Sequence, residues 1–341
     1  MDTRLHIDTR LIDEHDDAVC SRAHDVIVAS KGHERPWYEG PSQAEMVAEW
    51  RHVDEAERKQ VWGAYDGDEL VGVATIWLPM ADNTSMAWFD VQVDPAHRGR
   101  GVGSALTERA MQRAREEGRT KVLTDFFVPP ASEGHPYRRF AERHGFRLSN
   151  TEIMRHLQLP VDDDLLTRHA EAARARWEGD YRLETHVGGV PEPLQASLCA
   201  VMNQLAVDAP TGEIEFEEES FTPERYRDHL ELFRKQGRVR LTTVAVHEAT
   251  GDVVAYSDLI LPSGAPTIVW QWGTLVHRDH RGRRLGMAVK VENLRRLQAD
   301  HPERKRIVTG NDDTNSWMVS INEDLGFRIV ELCPAYHRTL D

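Results

Sequence analysis

The sequence predicts a mixed α+β protein that consists of two similar domains in tandem. Its 341 residues suit two domains of ordinary size. The segment HRGRGVG at residues 97–103 recurs as HRGRRLG at 280–286, so that Arg98 and Arg281 lie 183 residues apart. Three further pairs keep nearly this spacing: Gly67-Asp68 with Gly251-Asp252, Leu78-Pro79 with Leu261-Pro262, and Gly145-Phe146 with Gly326-Phe327. Four landmarks in one order at nearly one offset indicate a duplicated domain with a similar loop in each copy.

The first half is predicted to alternate strands and helices. A strand at residues 5–7 precedes helices at 17–29 and 43–51, and strands at 61–65 and 70–78 form a hairpin across the turn at 66–68. A third strand at 86–93 leads into the loop. The helix that follows has an apolar face and ends at Gly118. A strand at 121–128, a short helix at 137–144 and a strand at 146–159 complete this half.

The second half repeats the same order. It has a strand at residues 181–186, helices at 192–205 and 223–236, and a hairpin of strands at 239–247 and 253–261. A strand at 267–276 leads into the second loop, and a helix at 285–299, a strand at 306–309 and a helix at 315–325 follow. A charged helix at 162–178 joins the halves. The expected boundaries are a first domain at 1–160, a connector at 161–179 and a second domain at 180–341.

Composition excludes several classes of protein. The net charge is −15, from 42 basic and 57 acidic residues, which disfavours nucleic acid as a partner and favours a cationic small molecule. No run of 18 apolar residues predicts a membrane span, and the N-terminus lacks the apolar segment of a secretion signal. Cys20, Cys199 and Cys333 form no CxxC pair, which suits a reducing cytoplasm and disfavours a metal site.

The first loop has the chemistry of a diphosphate-binding site. It joins a strand that ends at Val93 to a helix that begins near Gly103. A helix N-terminus offers free N–H donors and a partial positive charge. Gly99, Gly101 and Gly103 allow the backbone to approach a phosphate, and Arg98 and Arg100 can add charge-assisted hydrogen bonds.

Two common nucleotide-binding loops do not fit this segment. A Walker loop ends in Gly-Lys-Ser/Thr, which neither copy has, and a Rossmann loop would need glycine where Leu106 stands. What remains is the pattern Arg/Gln-x-x-Gly-x-Gly, present as Arg98, Gly101 and Gly103. It resembles the coenzyme A loop of the GNAT superfamily of N-acetyltransferases. The order of elements in each half is similar to that of the family, and the tandem arrangement resembles that of mycothiol synthases.

This resemblance implies two GNAT-like domains, each a central, mostly antiparallel twisted sheet flanked by helices, with acetyl-CoA as the cofactor between two splayed strands. In the first half it implies coenzyme contacts at Val91, Val93, Arg98, Gly99, Arg100, Gly101, Val102, Gly103 and Ser104. In the second half it implies contacts at Leu275, Val276, Arg281, Gly282, Arg283, Arg284, Leu285, Gly286 and Asn315. Arg284 replaces a motif glycine. Ala141 and Asn322 stand where many members carry the tyrosine that protonates the leaving thiolate.

Acetyl transfer needs a group that accepts the proton of the amine and one that protonates the thiolate. Asp90, on the strand that leads into the first loop, is the preferred base, and Asp125 is a second candidate. Tyr137 or His135 could protonate the thiolate in the first half, and Tyr336 or His337 in the second. The acidic run Glu213, Glu215, Glu217, Glu218 and Glu219 borders the expected acceptor site and would attract a cation.

The sequence therefore predicts a cytoplasmic N-acetyltransferase, monomeric or homodimeric, that acetylates a primary amine of a small and cationic molecule by direct attack on the thioester. No metal, nucleic acid or membrane is expected to take part. The alternative is an acyl-CoA-binding sensor or scaffold in which one or both halves are non-catalytic. Acetylation of a protein is a third option.

Overall fold

A computed structural model describes residues 7–208, 216–217, 221–312 and 315–340. The first half contains strands β1 (Ile7–Leu11), β2 (Glu57–Asp66), β3 (Glu69–Pro79), β4 (Met86–Val93), β5 (Lys121–Asp125) and β6 (Arg147–Gln158). Its helices are α1 (Asp17–Gly32), α2 (Gln43–Arg51), α3 (Val102–Glu116) and α4 (Pro136–Arg143). The hairpin, the strand before the loop and the helix after it lie where the sequence predicts them. Leu5 and His6 of the predicted first strand lie outside the described residues.

The second half begins after helix α5 (Asp163–Trp177), which corresponds to the predicted connector. Its strands are β7 (Tyr181–Val187), β8 (Arg238–His247), β9 (Val253–Pro262), β10 (Ile268–Val276), β11 (Arg306–Asp312) and β12 (Arg328–Thr339). Its helices are α6 (Glu192–Asp208), α7 (Pro223–Lys235), α8 (Leu285–Asp300) and α9 (Ser316–Leu325). The order of elements therefore repeats that of the first half, as the spacing of the landmarks predicts.

The chain divides into two compact units whose limits differ from the boundaries expected from the sequence. The first unit takes the chain up to Thr151, the pair Phe216 and Glu217, and the chain from Leu332 onward; the second takes the described residues between Glu152 and Glu331. The difference arises because the halves exchange their last strands. In the first unit β5 pairs antiparallel with the end of β12, Tyr336 opposite Thr124. In the second unit β11 pairs with the end of β6.

Each unit has a mostly antiparallel sheet with one parallel pair. The first unit has the strand order β1-β2-β3-β4-β5-β12, and the second has β6-β11-β10-β9-β8-β7. The parallel pair is β4 with β5 in the first unit and β10 with β11 in the second. In the first unit α3 and α4 cover an apolar core that includes Ile76, Met111, Phe146 and Tyr336. In the second unit α5, α8 and α9 cover the equivalent core, which includes Leu157, Leu294 and Phe327.

Candidate functional site

The parallel strands of each unit pair over three residues and then separate. In the first unit the pairing of β4 with β5 ends at Trp88 and Leu123, and we call the gap beyond them the first opening. In the second unit the pairing of β10 with β11 ends at Trp270 and Val308, and the gap beyond is the second opening. Backbone groups that face an opening have no strand partner there and are available to a ligand.

The backbone of β4 turns toward the first opening at alternate residues. The N–H of Asp94 donates to the carbonyl of Val71 on β3 at 3.0 Å, so Val93 and Val91 direct their N–H and C=O groups away from β3. Val93 is already engaged, since its N–H donates to the Ser30 hydroxyl at 3.3 Å. Val91 is therefore the residue whose backbone can pair with an extended ligand.

The first loop, residues 97–103, presents a row of free amides. Gly99 and Gly101 have positive φ angles of 75° and 92°, and α3 begins at Val102 with no side-chain cap. A Cβ at either glycine would meet no atom within 4 Å, so both face open space. The N–H groups of residues 99–104 donate to no acceptor in the part of the chain that the structure describes. This is the arrangement that a diphosphate needs.

The two arginines of the first loop have different surroundings. The Arg98 guanidinium donates to the carbonyl of Val93 at 3.3 Å and to the Ser30 hydroxyl at 3.2 Å, and it lies 5.4 Å from the ring centroid of Tyr137. It therefore holds the loop against β4 and α1. The Arg100 side chain is exposed and remains available to a phosphate. No local pattern in the sequence points to Ser30, because only tertiary packing brings the end of α1 to the loop.

The remaining positions of the first loop form its support. Val102 is buried in the core, and a Cβ at Gly103 would lie 3.2 Å from the Phe140 ring, so α3 packs closely on α4 there. The Ser104 hydroxyl lies 3.1 Å from Nε2 of His144. Burial, with help from Arg143 and Arg338, lowers the pKa of His144, which favours its neutral form.

The second loop, residues 280–286, keeps the backbone shape of the first despite its missing glycine. Arg284 takes the left-handed conformation with a φ of 57° at the position of Gly101, and α8 again begins without a side-chain cap. The N–H groups of residues 282–287 have no acceptor among the described residues. The Arg281 guanidinium donates to the carbonyl of Val276 at 3.3 Å, just as Arg98 does to Val93.

Of the other predicted contacts in the second unit, Val276 faces the second opening, and the rest have partners within the protein or face elsewhere. His277 donates its N–H to Val254 on β9, so alternation directs the backbone of Leu275 toward β9 and leaves Val276 facing the second opening. Arg283 forms an exposed ion pair with Asp180 at 3.1 Å. Leu285 and Gly286 are buried in α8. Asn315 caps α9 and accepts the N–H of Met318 at 3.3 Å.

Two carboxylates stand at the first opening. Asp90 forms an ion pair with Lys31 at 2.8 Å and accepts a hydrogen bond from the Gln92 side chain, so both its oxygens have partners. The carboxylate of Asp90 outweighs the effect of burial and raises the pKa of Lys31. Among the described residues Asp125 on β5 forms no ion pair, and the charge of Lys31 only partly offsets its own. Desolvation by the surrounding protein and then the charge of Asp90 raise the pKa of Asp125, although solvent reaches its exposed side chain and screens the effect.

Both predicted tyrosines belong to the first unit. The Tyr137 ring lies 6.0 Å from the Phe126 ring and 4.7 Å from the His135 ring, between the loop and β5. Tyr336 was expected in the second half, but the strand exchange places it in the first unit, where its ring stacks on Phe126 with ring centroids 5.4 Å apart. It is buried, its hydroxyl lies 3.4 Å from a Glu142 oxygen, and burial raises its pKa.

Of the acidic run, only Glu217 is described. Its backbone N–H donates to the Asn83 side chain at 2.8 Å, and its carboxylate accepts the Asn83 N–H at 2.6 Å. Phe216 stacks on Trp88 with ring centroids 6.1 Å apart. The Glu217 carboxylate therefore helps to hold Phe216 and Glu217 against the rest of the first unit. Glu213, Glu215, Glu218 and Glu219 lie outside the described residues.

Other chemistry finds little support in the described residues. Within ranges 7–208, 216–217, 221–312 and 315–340, no group of His, Cys, Asp or Glu is placed to hold a metal ion. Within the same ranges no helix is both long and apolar enough to cross a membrane. Cys20, Cys199 and Cys333 are buried and form no disulfide with one another, and burial raises the pKa of Cys20 and Cys199, which disfavours their thiolates.

Comparison with known proteins points to one family. Residues 29–146 match the acetyltransferase (GNAT) family. A mycothiol acetyltransferase of Beutenbergia cavernae is 32% identical over 125 residues, which is 36% of this chain and 39% of that protein. The match thus spans about two fifths of the curated relative.

Solved structures extend the likeness to the whole chain. A tandem GNAT protein from the clavulanic acid biosynthesis pathway superposes with a TM-score of 0.80 at 24% identity, over 98% of both chains. A GCN5-related N-acetyltransferase from Sphaerobacter thermophilus does so with a TM-score of 0.64 at 15% identity, over 98% of this chain and 95% of that one. This likeness confirms the predicted fold of two tandem GNAT-like domains.

Proposed function

Because residues 29–146 match the acetyltransferase (GNAT) family, we propose that this protein transfers the acetyl group of acetyl-CoA to a primary amine of a small, cationic molecule. The observation that carries the proposal is the row of unpaired amides at residues 99–104, next to the first opening. The first unit holds the coenzyme and carries out the chemistry. Acetyl-CoA, when bound, supplies an activated acyl group.

The residues of the first unit fit the parts of this coenzyme. Amides at a helix N-terminus bind a diphosphate, and Arg100 adds a free guanidinium beside them. The backbone of Val91 pairs with the pantetheine arm, whose amides need the hydrogen bonds of a strand edge. Arg98 contributes to coenzyme binding indirectly, by stabilising the loop, because its guanidinium donates hydrogen bonds to Val93 and Ser30. It keeps the amides aimed at open space.

Asp125 is the favoured base. A free alkylamine has a pKa of about 10.4, so the acceptor arrives as an ammonium and must lose a proton before it attacks. Asp125 has no ion-pair partner in the described part of the chain, and its raised pKa makes it a better proton acceptor than an ordinary carboxylate. The charge of Asp90, which forms an ion pair with Lys31, contributes to the raised pKa of Asp125. The charge of Asp125 also attracts a cationic acceptor.

Tyr137 is the favoured donor of a proton to the leaving thiolate. Ala141 cannot donate one, and its buried side chain leaves the usual tyrosine position apolar. The Tyr137 ring contacts both Arg98 of the loop and Phe126, the residue after β5, which places it beside the first opening. Tyr336 is only 1% exposed, so its ring packs on Phe126 and is not accessible to a substrate.

Calorimetry and an assay of thiol release test the proposal together. Acetyl-CoA should bind the intact protein, and Gly101→Glu should remove the binding at the first loop by placing a carboxylate among the amides. Thiol should appear when amines are added, faster with polyamines or aminoglycosides than with neutral amines of similar size. Absence of acetyl-CoA binding by the intact protein contradicts the proposal. Binding without turnover across the amine panel would instead favour the acyl-CoA sensor, which Ala141 and Asn322 at the tyrosine positions also suit.

A further inference from the structure

Phe216 and Glu217 come from the second half of the sequence but belong to the first unit. The Phe216 ring lies nearly parallel to that of Trp88, with an angle of 11° between the ring planes. Glu217 and Asn83 exchange two hydrogen bonds, in which the backbone N–H of each donates to the side chain of the other, at 2.8 and 2.6 Å. Asn83 is only 2% exposed, and it lies just before β4. These contacts therefore give Phe216 and Glu217 a defined position beside β4.

This position is on the face of the sheet that carries the proposed base. Trp88 and Asp90 are two residues apart on β4, so their side chains leave the same face. Asp125, whose pKa responds to the charges of Asp90 and Lys31, lies close to both and so on that face too. Trp88 is also the last residue of β4 that pairs with β5, where the first opening begins. Phe216 therefore lies near the start of the first opening, on the side from which the amine must reach its base.

Phe216 and Glu217 both retain groups that can bind a ligand. The Phe216 side chain is 42% exposed, although one face of the ring stacks on Trp88. The face of an aromatic ring is electron-rich and attracts a cation. The Glu217 carboxylate uses Oε2 to accept the Asn83 N–H, and its Oε1 has no partner among the described residues. A ring face next to a carboxylate oxygen is suited to an ammonium group.

The distance between this pair and the carboxylates of the first opening suits a short molecule with two charges. Strand residues rise by about 3.3 Å each, so Trp88 and Asp90 are about 6.6 Å apart along β4. This is comparable with the distance between the two nitrogens of a short aliphatic diamine. Alkyl ammonium groups have a pKa of about 10.4, so the second nitrogen of a diamine stays charged at neutral pH while the first one reacts.

We propose that Phe216 and Glu217 form a second-ammonium subsite, which selects an aliphatic diamine or polyamine as the acceptor of the first unit. The reacting amine lies at Asp125, and the second ammonium lies against the Phe216 ring and the Glu217 carboxylate. The inference rests on the proposed function, because the subsite is defined relative to the reacting amine. The second half of the chain thereby contributes to the specificity of the first unit. Asn83 is a positioning residue, because it is buried and fixes Glu217 through two hydrogen bonds.

Steady-state kinetics of the intact protein with cadaverine and n-pentylamine test the subsite, because the two amines share a carbon chain and only cadaverine carries a second charge. The unaltered protein should have the lower KM for cadaverine. Phe216→Ala should raise that KM by about three- to tenfold, the loss of a cation–π contact, and Phe216→Trp should restore it. Glu217→Gln still accepts the Asn83 N–H but lacks the charge, and should raise the KM for cadaverine by about two- to fivefold. Neither Phe216→Ala nor Glu217→Gln should change the KM for n-pentylamine by more than about twofold, or the KM for acetyl-CoA. Trp317→Ala is the matched control, since it removes an aromatic side chain that is 85% exposed in the second unit, and it should change none of these constants.

Each other result overturns the inference. An equal rise in KM for both amines would show that Phe216 only shapes the site, and a rise in the KM for acetyl-CoA would show a general structural role. Unchanged constants in Phe216→Ala and Glu217→Gln would show that neither residue meets the acceptor. If the unaltered protein does not favour cadaverine, or acetylates only amines with a single charge, the subsite does not exist and the proposed function stands. If it acetylates no amine at all, the proposed function fails as well.

Discussion

The charged residues at the first opening have different effects on the pKa of the proposed base. Lys31 neutralises Asp90 across 2.8 Å, and the remaining charge of Asp90 acts on Asp125. A base must be ionised to work, so the rate rises with pH through its pKa. The raised pKa of Asp125 therefore sets the acidic limb of the pH–rate profile above the range of an ordinary carboxylate.

Two substitutions should shift the acidic limb of the pH–rate profile in opposite directions. Asp90→Asn removes the charge that raises the pKa of Asp125 and leaves Lys31 to lower it, so the acidic limb of kcat/KM should move to lower pH. Lys31→Met removes the opposing charge and should move the limb to higher pH. Profiles from pH 4 to 9 measure both, and Asp125→Asn should cost about a hundredfold or more in kcat. Shifts in the same direction, or none, would remove Asp125 from the role of base.

The two tyrosines beside Phe126 should respond differently to loss of their hydroxyls. Tyr137→Phe keeps the ring contacts and removes the proton donor, so kcat should fall about a hundredfold with little change in KM. Tyr336→Phe, the matched control, should change kcat by less than about threefold, because its hydroxyl faces Glu142. Steady-state kinetics with one amine distinguishes them. A larger loss in Tyr336→Phe would reverse the assignment.

At the scale of elements, each loop and the helix after it could be predicted from the sequence. The residues of other elements that hold the loop in place could not. The glycines of residues 97–103 predict a tight loop at a helix start, because positive φ is a local property. Ser30 and Lys31 carry no such local signal, since they act only where the end of α1 meets β4. Asn315 has a local structural role that its position did not indicate, because its side chain caps α9; its contact with the coenzyme stays a prediction.

The second loop stores strain that the first avoids. Arg284 holds a left-handed conformation that costs a non-glycine residue about 1 kcal/mol or more. Arg284→Gly should therefore raise the free energy of unfolding by up to about 1 kcal/mol, offset in part by the greater freedom of glycine in the unfolded chain. Gly101→Ala in the first loop should lower it by a similar amount. Chemical denaturation measures both, and a destabilising Arg284→Gly would show that the arginine side chain makes a stabilising contact.

At the scale of the whole molecule, the sequence predicts the duplication of the domain but not the exchange of strands β6 and β12 between the two copies. Four landmarks at one offset reveal two copies of a domain. Both β6 and β12 follow a Gly-Phe pair and have similar patterns, so either one fits beside β5 on local grounds. The partner of a strand is a non-local choice. It decides that Tyr336 and Leu340 enter the core of the first unit rather than that of the second.

The exchange makes a prediction about the first half alone. A fragment of residues 1–160, the domain expected from the sequence, lacks the strand that pairs with residues 121–125 and lacks the buried ring of Tyr336. It should unfold at lower temperature than the same fragment mixed with a synthetic peptide of residues 328–341. The peptide should also slow hydrogen exchange at residues 121–125, whose amides it covers. A peptide with Tyr336→Ala is the control and should protect them less, because it restores the strand without the ring. A fragment that is equally stable and protected without any peptide would show that its own β6 can turn back to pair with β5, and that the exchange is a choice between two nearly equivalent strands.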